Sequence, residues 1–388
     1  MIPYSRQHIT EEDITAVREV LQSEFLTQGP VVPRFEQSVA NYSGSSYGVA
    51  TSSATSALHV ACCALNLGPG DWLWTSPNSF VASANCALYC GANVDFVDID
   101  PQTYNMSTTA LASKLVESEK LGTLPKIVIP VHFAGQSCDM DTIAMLSKRF
   151  GFRVIEDASH AIGASYKGVK VGSCVYSDIT VFSFHPVKII TTGEGGMALT
   201  NNMELAERMR LFRAHGITNN KALMDSRPEN EIWNYQQVEL GFNYRMTDLH
   251  AALGLSQLNR LDANVIKRHK IAHHYDVELR ELPVVIPWQL PENYSSYHLY
   301  PVKVSSNSTP SRQREIYNNL IQNGIGVNVH YIPIYKHPYY QRLQFKGSNY
   351  PEAERFYSET ISLPLFPTLS SEQQSKVVEQ LRLSLKAY

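Results

Sequence analysis

A chain of 388 residues is too long for one simple core and predicts a large domain with a smaller one. Its 44% hydrophobic and 18% charged residues give an ordinary globular balance, and a net charge of -3 excludes a general nucleic-acid or membrane-surface binder. No apolar run approaches the roughly eighteen residues that a membrane span needs.

The N-terminus, MIPYSRQHITEED, has neither a basic n-region nor an apolar h-region, which predicts no signal peptide and a cytoplasmic location. TEEDITAVREVL predicts the first helix: Thr10 and Asp13 have capping-box spacing, and Ile14, Val17 and Leu21 share one face. YGVATSS reads as a strand entering the helix SATSALHVACCALNLG, which Gly68 ends. DWLWTSP, NVDFVDID, KIVIPVHF and FRVIEDAS read as strands, with SFVASANCALYCG and DMDTIAMLSKRFG as helices among them. ITVFSFH and GGMALTN add two more strands. Continuous apolar runs of this kind mark strands covered on both faces, hence a largely parallel α/β sheet.

Residues 218–230 are polar, contain Pro228 and predict a mobile loop. From Arg245 a long helical region runs to about Leu282 and predicts a link to a compact α+β unit. That unit reads as YHLYPVKV (strand), TPSRQREIYNNLIQNG (helix), GVNVHYIPI (strand) and two helical segments to Tyr388. The predicted division is 1–245 and 246–388. The six cysteines all lie in the first half, Cys62–Cys63 and Cys86/Cys90 within apolar helix-like segments. They predict reduced core thiols, and without a paired CxxC motif no metal is expected.

Three features carry chemistry. Asp157 ends the run FRVIED, where an open α/β sheet binds its ligands, although an Asp there also fits a helix cap. TSSATSALHV offers backbone N–H groups and the hydroxyls of Ser53, Thr55 and Ser56 at a helix N-terminus, suited to a phosphate and equally to a plain cap. Lys188 follows the strand-like VFSFHPV and precedes Gly193, Gly195 and Gly196. A desolvated lysine can lose its proton and attack a carbonyl, while a snorkelling surface lysine needs no such setting. A phosphate cradle, a carboxylate for a pyridine nitrogen and an imine-forming lysine together match what pyridoxal phosphate requires. Neither a Walker loop nor a GxGxxG fingerprint occurs, which disfavours a nicotinamide dehydrogenase.

The motifs LTQGPVVPRFE, SSATSALHVA, SPNSFVASANC, VIEDASHAIGA, FSFHPVKIITTGEGGM, LFRAHG, GFNYRMTDLHAALGLSQL and VHYIPIY, in this order, resemble the DegT/DnrJ/EryC1/StrS sugar aminotransferases along essentially the whole chain. The resemblance implies a pyridoxal-phosphate-dependent transferase of fold type I, aspartate-aminotransferase-like, with a mostly parallel sheet in the large domain. Within the family the chain most resembles enzymes that aminate C4 of a UDP-linked 4-keto-6-deoxy sugar on the route to pseudaminic acid. L-Glutamate is the implied donor, and the cofactor alternates with pyridoxamine phosphate. Other dTDP-, GDP- or UDP-linked keto sugars, perosamine-type ones included, remain alternatives.

Carried over by position, Lys188 binds the cofactor covalently and Asp157 pairs with its pyridine nitrogen. Ser183, Thr55 and the Ala54 amide hold its phosphate, Phe80 stacks on its ring and His160 lies near its phenolic oxygen. Asn243 reaches the phosphate of a neighbouring subunit, which implies a homodimer with shared sites. Tyr4, Thr27, Gln28, Arg245, His330 and Tyr331 are the candidate substrate residues. Some relatives are dehydratases with histidine in place of the lysine; here position 188 is Lys, with His185 three residues before it. A non-catalytic sensor on the same fold is the remaining rival.

Overall fold

The computed structural model describes the chain apart from residues 229, 305–309, 344, 346–348 and 387–388, and apart from the side chains of 310 and 311. Its centre is a seven-stranded sheet. In spatial order the strands are Tyr47–Thr51, Gly196–Thr200, Ile179–Ser183, Arg153–Asp157, Ile127–Ile129, Trp72–Thr75 and Asn93–Phe96. Gly196–Thr200 is antiparallel to both its neighbours, and the other pairings are parallel. All seven strands coincide with the apolar runs read from the sequence.

Both faces of this sheet are covered over most of its extent, which is why most of its strand residues are apolar. Val49, Ile155, Val181 and Ala198 enter one core with helices Ala54–Ala64 and Ala82–Tyr89. Their strand neighbours Ala50, Phe182 and Leu199 enter a second core with helix Val31–Ser43. Trp74, Val128 and Val154 enter a third with helices Thr108–Leu121 and Met140–Phe150.

A smaller antiparallel sheet joins Val284–Val285, Tyr300–Val304 and Thr360–Leu363. Its core includes Tyr275, Leu279, Tyr300, Ile316, Leu320, Val377 and Leu381, and Ile2 packs into it from the start of the chain. Among the described residues no helix is long and apolar enough to cross a membrane.

Three sequence expectations are corrected. Helix Glu11–Leu21 has its capping box, yet Ile14 and Leu21 are exposed and Asp13 is buried. Asp13 accepts hydrogen bonds from Arg260, Ser256 and Gln257, so a polar network decides which face turns inward. The long helical region is two helices, Asp248–Leu258 and Leu261–Glu278; Arg260, at the break, turns its guanidinium to Asp13. The segment GVNVHYIPI is not a strand, making only the isolated bridge Asn328↔Ser362 before the turn Ile334–Lys336. The strand in its place is Thr360–Leu363, which lies between helices Pro351–Glu359 and Ser371–Lys386 within the segment read as helical.

Candidate active site

A cavity of about 580 Å³ opens beyond the carboxyl ends of the parallel strands. Its lining includes Lys188, Asp157, Ala54, Thr55, Ser183, Phe80 and His160, together with Tyr4, His330 and Tyr331. Four of the candidate cofactor and substrate residues lie outside it. Asn243 is exposed and bridges Ala214; Thr27 is exposed and bridges Thr247. Gln28 is exposed with a left-handed backbone (φ 57°), and Arg245 bridges Thr51.

Asp157 is the last residue of its strand and is buried. Ser159 donates to Oδ1 through its N–H (3.1 Å) and its hydroxyl (2.6 Å), and the Ser83 hydroxyl donates to Oδ2 (2.6 Å). These hydrogen bonds fix the direction of the buried carboxyl group. The neighbouring Glu156 faces the other side of the sheet and accepts from Thr180 at 2.9 Å.

Lys188 sits in a loop that is folded back on Phe184. The Phe184 carbonyl accepts from Thr192 N–H (3.0 Å) and Thr191 Oγ1 (2.9 Å), and Lys188 N–H donates to the His185 carbonyl (2.9 Å). Gly193 turns the chain with φ +82°. The free surface of the lysine lines the cavity. Burial pushes its amine down to about 8, against the opposing pull of the Asp157 carboxylate.

Helix Ala54–Ala64 points its N-terminus at the cavity. Ser53 caps it, accepting from Ser56 N–H at 3.1 Å. The helix comes this close because residue 196 is glycine: a Cβ there would lie 2.5 Å from Ala54 N and from the Ser53 carbonyl carbon. Gly196 pairs with Thr51 on one side and Ser183 on the other, so strand end, helix end and hydroxyls meet at one point.

The opposite wall is aromatic and basic. Ala134 N–H donates to His160 Nδ1 (3.3 Å), which leaves the imidazole proton on Nε2, 3.0 Å from Tyr331 Oη. Burial holds His160 well below the usual histidine range, with Lys188 and His330 adding to the effect. The His298 ring lies 4.3 Å from that of His160, tilted by 42°, and is likewise held low by burial. His330 is pushed to about 3 by burial and by Lys188. All three imidazoles are therefore neutral near pH 7. Tyr331 is anchored by its N–H on Asn78 Oδ1 (3.2 Å).

These residues fit pyridoxal phosphate. A helix N-terminus with the Thr55 and Ser183 hydroxyls suits a phosphate, a buried carboxyl group held in one direction suits a pyridinium, and a lysine with a lowered pKa suits a carbonyl. Ser83 and His298 were missed in the sequence. Ser83 lies three residues after Phe80, a helical spacing that was a usable signal; the SYHLY context of His298 offered none.

The family model that describes the DegT/DnrJ/EryC1/StrS aminotransferase family matches residues 7–382. The chain belongs to that family. It is 38% identical over 385 residues to the UDP-4-amino-4,6-dideoxy-N-acetyl-beta-L-altrosamine transaminase of Campylobacter jejuni, covering 98% of this chain and 96% of the other. Its structure matches Helicobacter pylori PseC, an aminotransferase involved in the biosynthesis of pseudoaminic acid, with a TM-score of 0.91, 32% identity and all of both chains covered. It matches the putative sugar aminotransferase Spr1654 of Streptococcus pneumoniae, in its pyridoxamine-phosphate form, with a TM-score of 0.91, 30% identity and the same coverage. This DegT-family chain has the fold of the pyridoxal-phosphate sugar aminotransferases and is such an enzyme, with pyridoxal phosphate as its cofactor.

Proposed function

We propose that the enzyme transfers the amino group of L-glutamate to C4 of a UDP-linked, N-acetylated 4-keto-6-deoxy hexose in pseudaminic acid formation. The likeness to the Campylobacter transaminase, over 98% of this chain and 96% of the other, supports this substrate. The likeness to PseC supports the pathway. The observation that carries the chemistry is the pairing of Lys188 and Asp157 in one cavity, the amine brought down to about 8 by burial.

In this reading Ala54, Thr55 and Ser183 hold the phosphate of the cofactor, Phe80 covers its ring, and Asp157 keeps its pyridine nitrogen protonated. Pyridoxal phosphate, when bound, supplies the electron sink that makes the donor Cα acidic. Lys188 would hold the cofactor covalently, and its Nζ, when free, would take the proton from the donor Cα and supply one to the sugar C4. His160 and Tyr331 orient the groups at the ring's phenolic edge, with the proton on His160 Nε2 directed at Tyr331 Oη. Tyr4 and His330 face the substrate from the same cavity. Arg245, Thr27 and Gln28 are assigned to the nucleotide side, and Asn243 to the phosphate of the other subunit in a homodimer, where two-fold symmetry makes two equivalent shared sites.

The test is to supply L-glutamate with each of a panel of nucleotide keto sugars and follow 2-oxoglutarate and the amino sugar by mass. Turnover of the UDP-linked N-acetylated ketone is expected. Turnover of a dTDP- or GDP-linked ketone, with none of the UDP-linked one, overturns the substrate and leaves the sugar aminotransferase standing.

A further inference from the structure

Away from the cavity, three metal-ligating side chains converge from two helices. His59 and Cys63 stand one turn apart on helix Ala54–Ala64, and Cys90 closes the C-terminal end of helix Ala82–Tyr89. A ring nitrogen of His59 and the two sulfurs all lie within 4.8 Å of one another. The Cys63 and Cys90 sulfurs are 3.9 Å apart. Two sulfurs at about 2.3 Å from one tetrahedral zinc ion stand roughly 3.8 Å apart. A disulfide would need them to close to about 2.05 Å. The pair therefore already has the spacing of ligands that share an ion.

We propose that His59, Cys63 and Cys90 form a zinc site with three protein ligands and one position left for water. His59 is buried, whereas Cys63 and Cys90 are half-buried, which gives an ion a way in from solvent. The imidazole is wedged between rings, 4.6 Å from Phe242 and 5.2 Å from Tyr89. Tyr244 Oη lies 3.3 Å from His59 Nδ1 and fixes the ring's orientation. Zn²⁺ would bind through a ring nitrogen of His59 and the Cys63 and Cys90 sulfurs as thiolates, with the thiol protons released to solvent. The sequence offers no paired CxxC because the ligands come from a one-turn His–Cys pair on one helix and the end of another. The opposite end of helix Ala54–Ala64 carries Ala54 and Thr55, and helix Ala82–Tyr89 carries Ser83 on Asp157. An ion here would clamp together the far ends of the two helices that flank the cavity.

The test is to titrate the reduced holoenzyme with Co²⁺ and read the visible d–d bands of a tetrahedral thiolate site. One Co²⁺ per chain is expected, with bands that Zn²⁺ bleaches. Cys63→Ser and Cys90→Ser should each lose the bands while keeping the wild-type circular dichroism, and Cys138→Ser should keep them. Should a serine variant not fold, His59→Asn serves as the second ligand deletion and should also lose them. Absence of bands in the reduced wild type overturns the site. So do bands that survive both serine substitutions, or a Cys63–Cys90 disulfide formed in air by a protein that takes up no cobalt when reduced.

Discussion

The Ser83 hydroxyl donates a 2.6 Å hydrogen bond to Asp157 Oδ2, joining a helix to the end of a central strand at the floor of the cavity. With Ser159 on Oδ1, the carboxylate is held from both sides and keeps one direction. An acid held this way can serve a pyridinium without reorganising. Asp157→Asn should therefore fold normally, since an amide oxygen still accepts from a serine, yet lose about 10²–10³-fold in kcat. Near wild-type turnover in steady-state assays would show that the charge at 157 has no electronic role.

Gly196→Ala should weaken cofactor binding without touching any cofactor atom. The new Cβ meets backbone at 2.5 Å, at Ala54 N and the Ser53 carbonyl carbon, and no side chain can swing away to relieve it. The helix N-terminus must move off the strand, at a cost of about 1–3 kcal/mol in stability. Thermal unfolding and a pyridoxal phosphate titration of the apoenzyme measure the two effects. An unchanged Kd would mean that the helix end does not hold the phosphate.

The lowered Lys188 pKa predicts the pH dependence of cofactor capture. The amine is reactive only as the free base, and burial brings its value down to about 8. Below that value the fraction of free base falls tenfold per pH unit, and above it the fraction saturates. The initial rate of apoenzyme reconstitution, read by absorbance, should rise with pH up to about 8 and then level. A rise that continues to the ordinary lysine range would show an amine that is solvated and not perturbed.

Asn243 is exposed and lies outside its own chain's cavity, as a residue serving a second subunit would. Lys188→Ala and Asn243→Ala should each be inactive alone. In a mixed population about half the dimers are hybrids with one intact site of two, so roughly a quarter of wild-type activity should return. No recovery on mixing, with hybrids demonstrated by mass, would remove Asn243 from the shared site.

Most of the central strands were legible because they are buried on both faces and so written largely in apolar residues; Asn93–Phe96, at the sheet's edge, instead alternates exposed Asn93 and half-buried Asp95 with buried Val94 and Phe96. The face of helix Glu11–Leu21 was not, because Arg260, hundreds of residues away, draws Asp13 inward and leaves Ile14 and Leu21 outside. GVNVHYIPI has the alternation of a strand, but His330 and Tyr331 turn toward the cavity and Thr360–Leu363 takes the edge of the small sheet. Asp157 stood out because it ends an apolar strand, and Lys188 because it lies in the short loop after one. His298 did not, since it reaches His160 from a segment distant in sequence whose own pattern carries no chemistry.

The most direct measurement is reduction of the purified holoenzyme with borohydride, followed by peptide mapping. Lys188 is the lysine that the fold places in the cavity with Asp157, at the end of the loop tied to Phe184. The label should appear on the peptide containing Lys188, and Lys188→Ala should show neither label nor turnover. A label on any other lysine, or an active Lys188→Ala enzyme, would contradict the account.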